Sequence, residues 1–438
     1  MTRTETQLRV EIAVDPLAAV ARLASSSGYD DYLVYEGPQG WVFAAGVVAA
    51  VELYRDELVV TVGDDVLRKP WSGRPAAVLD EALAALTTVD KRAYGWIGFE
   101  FCAYSFGAEA QVGDGQQLAH LIVPLVEVQL FDGQIQVRGG EFAEQQSLLA
   151  IATAADAPLG TGRAVELSSD PTDYRGRVRT AVGEIRAGRY QKVILSRRVD
   201  VPFQLDMSAT YRLGRENNTP ARSFLFRIGG LEATGFSPEL VAAVDERGVV
   251  TTEPLAGTRA FGRGDAADLA ARTDLEADPK EIVEHAVSVR TSFAEVASVA
   301  VPGTVSVSDF MAVRERGSVQ HLASTVRGQL ADSCTAWQAL DALFPSVTAS
   351  GIPKRESVDA IFRLDGAQRD LYSGAVVMVS PGGSLEATLV LRAAYQREGA
   401  AWLRAGAGVI GQSNPDREFE ETCEKLGSIA PYLVPAAQ

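Results

Sequence analysis

The sequence predicts an α+β fold with antiparallel β-sheets, and two patterns support this. Strand-like runs follow one another through turn signals such as Asp245-Glu-Arg-Gly248, the arrangement of β-hairpins. Helical patterns occur in blocks and do not alternate with single strands, as they would in a parallel α/β sheet. The chain has 438 residues, of which 47% are hydrophobic and 22% charged, as is typical of a globular protein with a sizeable core.

An Ala-, Gly- and Pro-rich connection over residues 152–162 divides the chain into an N-terminal portion, residues 1–155, and a second portion, residues 165–438. The first portion combines β-prone runs with one helical pattern. Its aromatic run Tyr94–Phe101 predicts a buried strand. The other predicted elements here are strands at Gly40–Ala50, Glu57–Val62 and His120–Phe131, and a helix at Arg74–Leu86.

The second portion opens with a predicted helix, for which Ser169 and Asp170 would supply the N-cap and Pro171 a first-turn proline. Apolar residues then recur at helical spacing from Tyr174 until Gly188. The remaining predicted elements are helices at Pro279–Val296 and Pro415–Leu426, and strands at Tyr190–Val199, Leu231–Phe236, Glu239–Val244, Val249–Pro254, Gly328–Leu330, Gly374–Val379, Glu386–Ala394 and Ala401–Ile410.

Charge and hydropathy exclude several classes of partner. With 57 acidic and 41 basic residues the net charge is −16, and no Lys/Arg-rich stripe offers a footprint for a nucleic acid backbone. The longest uncharged stretch, residues 371–385, is shorter than the roughly 20 apolar residues that a membrane-spanning helix needs. The polar N-terminus lacks the apolar region of a signal peptide, and the three cysteines have no CxxC spacing. We therefore expect a cytoplasmic protein that binds neither nucleic acid nor membrane.

Two predicted helices carry paired glutamates at a spacing of three residues, which places each pair on one helical face. Glu281 and Glu284 lie on the first helix, and Glu418 and Glu421 on the last, together with Lys425. If the helices face each other, the converging carboxylate oxygens favour Mg²⁺ or Mn²⁺ over zinc. The same spacing also fits two solvated helix faces.

Lys192 lies in a strand that is apolar on both faces, within Tyr190–Ser196. Burial of an ammonium group is costly and makes a lysine easier to deprotonate, so that it can serve as a base near neutral pH. The alternative is a lysine at a sheet edge whose ammonium reaches solvent.

Three further sites attract attention, each with a structural alternative. Glu239, at the start of a strand, would be a proton donor if an apolar setting raised its pKa, although carboxylates there are more often solvated. His321 lies in an apolar, hydroxyl-rich stretch, where a structural histidine is the default. The run Gly406–Gly411 matches GxGxxG, but no βαβ unit surrounds it, so a dinucleotide site is improbable. Its glycines suit either close approach of the backbone to a ligand or packing.

Eight motifs of the second portion resemble those of the chorismate-utilising enzymes and occur in the same order as in that family, which includes anthranilate, aminodeoxychorismate, isochorismate and salicylate synthases. The first 155 residues resemble the family more weakly, mainly around Tyr94–Phe106. The resemblance implies a single large domain of two packed, mainly antiparallel sheets with helices on the outside. The motifs are Tyr190–Arg197, Gly235–Leu240, Pro254–Arg259, Lys280–His285, Val319–Leu322, Thr348–Lys354, Arg404–Gly408 and Asp416–Glu421.

The resemblance also implies roles for individual residues in a chorismate site. Glu284 and Glu421 would hold Mg²⁺, with Glu281 and Glu418 as supporting partners. Glu239 would act as general acid on the leaving hydroxyl, and Lys192 as general base on the incoming water. The other residues that match family positions at the reacting ring or in the substrate pocket are Thr258, His321, Gly257, Tyr372, Arg392, Gly406, Gly408 and Lys425.

Within the family, a lysine at position 192 is typical of members that use water, and the Thr348–Lys354 and Pro254–Arg259 stretches are most similar to salicylate synthases. This implies conversion of chorismate to salicylate and pyruvate through isochorismate, without a glutaminase partner, with a siderophore as the family's common destination for salicylate. The alternatives are an isochorismate synthase that releases its product and an amine-forming anthranilate or aminodeoxychorismate synthase subunit.

Overall fold

The computed structural model describes residues 7–86, 92–131, 133–316 and 319–437. These residues form one 11-stranded and one 12-stranded sheet, and every strand pair in them is antiparallel. Helices cover the outer faces of both sheets. The predicted α+β fold of two packed antiparallel sheets is confirmed.

The first sheet has the order β1-β10-β9-β3-β2-β12-β13-β22-β23-β11-β19. Strands of the N-terminal portion form one end of this sheet and strands of the second portion the other. Its strands are β1 Gln7–Glu11, β2 Tyr32–Gly37, β3 Gly40–Ala45, β9 Val126–Phe131, β10 Gln134–Gly139, β11 Lys192–Val201, β12 Arg222–Ile228, β13 Leu231–Ser237, β19 Gly351–Ile352, β22 Ala393–Arg397 and β23 Ala400–Val409.

The second sheet has the order β16-β18-β15-β14-β21-β20-β7-β8-β4-β5-β6, with β17 paired to β18. It also mixes strands of both portions, so neither portion has a sheet of its own. Its strands are β4 Ala49–Tyr54, β5 Glu57–Val62, β6 Asp65–Pro70, β7 Ala93–Ile97, β8 Gln117–Val123, β14 Leu240–Val244, β15 Val249–Thr252, β16 Leu255–Ala260, β17 Ser306–Arg316, β18 Val319–Gln329, β20 Ala375–Val379 and β21 Leu385–Leu389.

The helices pack on the outside of this pair of sheets. None of them, among the described residues, is long and apolar enough to cross a lipid bilayer. They are α1 Pro16–Ser26, α2 Pro75–Ala85, α3 Ala103–Phe106, α4 Phe142–Ala152, α5 Tyr174–Arg186, α6 Met207–Glu216, α7 Asp265–Ala277, α8 Pro279–Val299, α9 Ala336–Leu343, α10 Lys354–Leu364 and α11 Pro415–Leu426.

An apolar layer lies between the two sheets. Tyr35 of β2 and Phe224 of β12 extend from the first sheet, and Tyr94 of β7 and Val376 of β20 from the second, into one cluster of buried side chains. Each outer face is buried against helices, chiefly α1, α4 and α6 on the first sheet and α2, α8 and α9 on the second, while α10 packs on β11 and β19 of the first sheet. Strands buried on both faces account for the long apolar runs in the sequence.

Several predicted strands are in fact two strands that belong to different sheets. A single strand was predicted at His120–Phe131, but the structure has two there. Strand β8 ends at Val123 and β9 begins at Val126, and between them the chain passes from the second sheet to the first. The run Glu386–Ala394 is likewise divided between β21 and β22. Because both halves are buried on both faces, hydrophobicity does not reveal the crossing.

The helix predicted from Ser169 begins later, at Tyr174, with Asp173 as its N-cap. The predicted cap was wrong because Asp170 reaches over the intervening turn. Its carboxylate accepts the backbone N–H groups of Tyr174 and Arg175 at 2.7 and 3.2 Å. Helix α7, which precedes α8 directly, was not predicted; it is mostly exposed and has a single buried residue, Leu275.

A buried charge cluster ties β11 to the segments that follow α10. Asp365 accepts hydrogen bonds from the backbone N–H of Ser196 at 2.8 Å, from Nε of Arg369 at 2.7 Å and from Nη2 of Arg404 at 3.3 Å. Arg369 in turn donates to the carbonyl oxygens of Ile194 at 2.6 Å and Ala349 at 2.8 Å. The cluster therefore fixes β11 against the turn that contains Ala349.

Replacing Asp365 with alanine should lower the free energy of unfolding by about 3–5 kcal/mol, because it leaves two buried arginines without their shared partner. Urea unfolding of Asp365→Ala measures this loss. Asp114→Ala is the matched control, since it removes the 99% exposed partner of Arg55 and should cost at most about 1 kcal/mol. Equal losses in the two variants would show that the Asp365 cluster does not stabilise the fold.

Candidate active site

The candidate site lies where the chain passes between the two sheets. Glu239 stands at the crossing from β13 to β14, and Arg392 at the crossing from β21 to β22. Hydrogen bonds join the two crossings: Phe236 N–H donates to the carbonyl of Arg392 at 3.2 Å, and Leu389 N–H to that of Glu239 at 3.2 Å. Arg392 has a positive φ of 50°, a conformation that the joined crossings impose. The fold thus holds Glu239 and Arg392 on two neighbouring crossings that are joined by backbone hydrogen bonds.

His321 of β18 connects Arg392 to β16. Nη2 of Arg392 lies 2.9 Å from Nε2 of His321, and Nδ1 of the ring lies 3.0 Å from the carbonyl of Gly257 and 3.1 Å from Oγ1 of Thr258. An arginine only donates, so Nε2 accepts and Nδ1 carries the proton, which it donates to Gly257. Burial and the positive charge of Arg392 lower the pKa of His321 to about 3. The imidazole is therefore neutral at physiological pH.

Gly257 has a φ of +66°, and a Cβ added there would lie 3.0 Å from the carboxylate of Glu281. Only glycine therefore allows β16 to pass so close to the first turn of α8. Arg259, two residues on, pairs with Glu281 at 3.3 Å and with Asp278, the N-cap of α8, at 2.7 Å. These contacts fix the N-terminus of α8 against Gly257, whose carbonyl accepts the hydrogen bond from His321.

Strand β23 supplies glycines at the other wall. A Cβ on Gly408 would lie 3.1 Å from Cε of Lys192, and a Cβ on Gly406 would lie 2.9 Å from the hydroxyl of Tyr372. A Cβ on Gly406 would also lie 2.5 Å from the carbonyl oxygen of Leu195, so packing, one of the two alternatives expected, accounts for both glycines. The run Gly406–Gly411 forms the end of a strand antiparallel to β11, without a dinucleotide-binding βαβ unit.

Lys192 is at the first position of β11, and its side chain is 14% exposed. Its Nζ lies 3.2 Å from Oε2 of Glu284, so the ammonium is paired inside the site and does not reach out to solvent. Lys425 is placed similarly on α11. Its Nζ donates to the carbonyl of Gly406 at 2.9 Å and pairs with Glu421 at 2.8 Å.

The four glutamates of the two ExxE motifs lie near the N-termini of α8 and α11, which Asp278 and Asn414 cap. The side chains of Glu281 and Glu284 are 16% and 21% exposed, and Glu418 is buried. Two fully solvated helix faces are thus excluded. Burial and the neighbouring Glu421 raise the pKa of Glu418, although Ser413 opposes them.

Lysines hold the two motifs together. Nζ of Lys280 lies 3.8 Å from Oε1 of Glu284. Its charge contributes to the lowered pKa of Glu421 and opposes the rise in the pKa of Glu418. Burial would raise the pKa of Glu421, but Lys425 outweighs it and leaves that pKa below its ordinary value. Across the described ranges, no three carboxylate, imidazole or thiol groups lie close enough to enclose a metal ion.

Glu239 is 1% exposed, and the pKa of its carboxyl differs strongly from that of an ordinary glutamate. Burial raises its pKa to about 8, with a further contribution from the charge of Glu253, while the hydroxyls of Ser346 and Thr348 and the charge of Lys354 oppose the shift. Oε1 accepts a hydrogen bond from Ser346, whereas Oε2 is buried without a hydrogen-bond partner. A carboxyl that is protonated at neutral pH is suited to donate a proton, so the solvated alternative does not apply.

The site therefore brings three cations together in a protein of net charge −16, and Glu284 and Glu421 pair with two of them. Lys192, Arg392 and Lys425 surround the glycine-lined wall, and a neutral histidine and a protonated carboxyl border it. Such an arrangement can bind a small anion through cations and backbone and can transfer protons to and from it.

Sequence reasoning missed several polar residues of this region. Ser346, which bonds Glu239, and Lys354, which pairs with Glu295 at 2.6 Å, lie far from their partners along the chain. Lys280 was quoted only as part of a motif, yet it links both helices. No local pattern marks Ser346, since its role depends on a contact 107 residues away.

The chain is similar to characterised enzymes along nearly its whole length. Residues 30–431 match the family model described as chorismate binding enzyme. Over 426 residues, 97% of this chain and 95% of the relative, it is 53% identical to a salicylate synthase of Mycolicibacterium paratuberculosis. It is 37% identical to anthranilate synthase component 1 of Spirochaeta aurantia over 60% of this chain and 55% of that protein.

Solved structures share the fold at lower identity. Anthranilate synthase component I from Streptococcus pneumoniae superposes with a TM-score of 0.75 and 23% identity, covering 89% of this chain and 91% of that one. The menaquinone-specific isochorismate synthase from Escherichia coli superposes with a TM-score of 0.73 and 21% identity, covering 98% of this chain and 94% of that one. The match of the family model over most of the chain and the 53% identity to a full-length relative lead to one conclusion: the chain belongs to the chorismate-binding enzyme family.

Proposed function

We propose that this protein is a salicylate synthase, which converts chorismate to salicylate and pyruvate through isochorismate. The observation that carries the proposal is the 53% identity to a salicylate synthase over 97% of this chain. The site agrees with it, because a buried acid and a lysine are both present for an addition of water.

In the first half-reaction Glu239 is the general acid. The bond between C4 of chorismate and its hydroxyl breaks, and the proton of the carboxyl leaves with that hydroxyl as water. The raised pKa of about 8 keeps Glu239 protonated at neutral pH, so that the proton is available.

Lys192 is the general base of the same half-reaction. A water molecule attacks C2, the ring double bonds shift, and the proton of the attacking water passes to the lysine amine. In the described geometry Nζ of Lys192 is paired with Oε2 of Glu284 at 3.2 Å. The base role thus requires that Glu284 find another cation as its partner.

The second half-reaction removes pyruvate from isochorismate. The bond between C3 and the enolpyruvyl oxygen breaks while the hydrogen on C2 moves to the enolpyruvyl methylene, and the ring becomes aromatic. No acid or base is consumed, so the site contributes by holding the side chain over the ring.

Cations and backbone hold the substrate's carboxylates in this proposal. Arg392 and Tyr372 bind the enolpyruvyl carboxylate, for which a planar guanidinium is well suited. The backbone of Gly257, Gly406 and Gly408 and the ammonium of Lys425 line the rest of the pocket. Thr258 and His321 lie beside the ring. The neutral His321 keeps Arg392 in place through the bond to its Nε2.

The carboxylates of the two ExxE motifs fit a divalent metal by their chemistry, since hard oxygen donors suit Mg²⁺. Glu284 and Glu421 would hold the ion, and Glu281 and Glu418 would support them. Glu284 and Glu421 have lysines as counter-charges, which a divalent cation would replace, and Glu281 is paired with Arg259. Bound there, Mg²⁺ supplies positive charge to the ring carboxylate of the substrate. Use of salicylate in a siderophore stays a prediction.

Incubation with chorismate and Mg²⁺ tests the proposed activity. The purified protein should release salicylate and pyruvate in equal amounts, without ammonia or a second protein, as chromatography of the products would show. Isochorismate as the sole end product would identify an isochorismate synthase instead. Anthranilate formed on addition of ammonium salts would identify an amine-forming enzyme.

Glu284→Gln and Glu421→Gln test the metal site. Each removes one charge while keeping the shape, so Mg²⁺ activation of salicylate formation should weaken by at least about 10–100-fold. Calorimetric titration with Mg²⁺ should show the same loss of affinity. Glu420→Gln is the matched control, because this 64% exposed glutamate on the same helix pairs with Arg417 outside the site. Unchanged Mg²⁺ affinity in both site variants would rule out these ligands.

Lys192→Ala separates the half-reactions. Loss of the base should slow salicylate formation from chorismate by about 10²–10⁴-fold, whereas pyruvate loss from supplied isochorismate should keep a substantial share of its rate. Lys192→Gln, which keeps a polar chain of similar packing, should behave alike. If both half-reactions fall equally, Lys192 only positions the substrate or supports the strand.

His321 should stay neutral in the folded protein from pH 5 to 8, because burial and Arg392 lower its pKa to about 3. Since the unfolded chain has an ordinary histidine pKa near 6.5, it binds the extra proton first, and the stability from this site falls as the pH drops below about 6.5. NMR titration of the ring protons, with His321→Gln for assignment, checks this. A midpoint near 6.5 would contradict the described contact with Arg392.

A further inference from the structure

Ser346 caps the single 3₁₀ turn Val347–Ala349 and contacts the carboxyl of Glu239. Ser346 is 8% exposed, and its hydroxyl donates to Oε1 of Glu239. Oε2 of the same carboxyl is buried and has no hydrogen-bond partner. The two oxygens of the acid therefore differ in their surroundings.

Ser346 is the donor in its bond to Glu239. Its Oγ accepts the backbone N–H of Thr348 at 3.3 Å, and among the described contacts Oε1 of Glu239 is the acceptor for its one hydroxyl hydrogen. An oxygen that already receives a hydrogen bond is a poor place for the acidic proton, which leaves Oε2 to carry it.

We propose that Ser346 is a positioning residue that keeps the acidic proton of Glu239 on Oε2, the oxygen left free for the hydroxyl of the substrate. This inference rests on the proposed function, in which Glu239 is the general acid. It assigns to Ser346 no direct contact with substrate. Its effect is on which oxygen of the carboxyl is the donor.

The turn is held too firmly for Ser346 to follow a moving carboxyl. Oγ of Ser350 donates to the carbonyl of Ser346 at 2.8 Å, and Oγ1 of Thr348 donates to the carbonyl of Leu255 at 3.1 Å. The bond from Arg369 to the carbonyl of Ala349 at 2.8 Å anchors the same turn to the buried charge cluster. Since the hydroxyl hydrogen of Thr348 is used on Leu255, Ser346 is the side chain that bonds Oε1.

Besides Ser346, the hydroxyl of Thr348 lowers the pKa of Glu239, and two charged groups also act on it. Glu253 raises the pKa of its carboxyl, and Lys354, anchored by Glu295 at 2.6 Å and by the carbonyl of Leu343 at 2.9 Å, lowers it. The bond from Ser346 also lowers that pKa because it favours the charged form. Removal of the hydroxyl must consequently raise the pKa further, above about 8.

Ser346→Ala gives the decisive experiment, with chorismate and isochorismate supplied in turn across pH 6–10. Salicylate formation from chorismate should fall by about 10–100-fold at neutral pH, since the donor is misplaced. The alkaline limb of its pH profile should move upward by about one unit. Pyruvate loss from isochorismate, which needs no acid, should change by less than about threefold. Ser346→Thr, which keeps a hydroxyl, should restore the limb of the unmodified protein.

Ser292→Ala is the control, because it removes a buried hydroxyl on α8 that neither bonds Glu239 nor holds the turn of Ser346. It should leave the alkaline limb where it is. A limb that stays in place in Ser346→Ala, or that moves equally in Ser292→Ala, overturns the assignment. Equal loss of both half-reactions also overturns it, since this would indicate a structural role.

Glu239→Gln distinguishes failure of this inference from failure of the proposed function. If Glu239→Gln abolishes turnover of chorismate while Ser346→Ala behaves like the unmodified protein, the role of Ser346 is wrong and the acid assignment stands. If Glu239→Gln keeps its turnover of chorismate within about tenfold, the acid assignment itself is wrong. Thermal unfolding of each variant identifies any that fails to fold; if Ser346→Ala does, Ser346→Cys, which keeps the shape of the side chain with a much weaker donor, carries the comparison.

Discussion

The shared partnership of Asp365 with Arg369 and Arg404 is the constraint on which the site depends. These three buried charges satisfy one another, and Arg369 uses its remaining donors on the carbonyls of Ile194 and Ala349. One carbonyl belongs to the strand that begins with the proposed base, and the other to the turn that bonds the proposed acid. Burial of unpaired arginines would be prohibitively costly, so the fold is held to the one arrangement in which all are paired. The separation of acid and base is set by that arrangement.

The second constraint is electrostatic. The protein carries net negative charge, and its candidate site nevertheless gathers Lys192, Arg392 and Lys425 around walls of glycine. Desolvation and mutual repulsion weaken such a group of cations, as the pKa of Arg392, lowered to about 10 by burial and Arg316, illustrates. Carboxylates of the ExxE motifs offset the lysines, and an anionic substrate offsets the rest. An acidic exterior with a cationic interior favours a ligand of defined negative charge over nonspecific anions.

Much of this could be predicted from the sequence, for reasons that are physical. Helix α11 was predicted over the range observed, because a capping residue, an N1 proline and a periodic apolar face coincide there. The doubly apolar strand around Lys192 favoured a buried or a solvent-reaching lysine equally, and the pairing of Lys192 with Glu284 agrees with the buried one. The division of His120–Phe131 between two sheets could not be predicted, since both halves are buried alike. Likewise Ser346 and Asp365 act on partners 107 and 169 residues away, and no local pattern encodes such contacts.

The central claim is that water, activated within this site, is the nucleophile that adds to the ring of chorismate. Turnover of chorismate in ¹⁸O-labelled water, followed by mass spectrometry of the salicylate, tests it most directly. The account predicts one ¹⁸O atom in the phenolic hydroxyl of salicylate, because the oxygen added at C2 stays on the ring when pyruvate leaves. Salicylate with an unlabelled hydroxyl would contradict it, since the oxygen would then have come from chorismate itself.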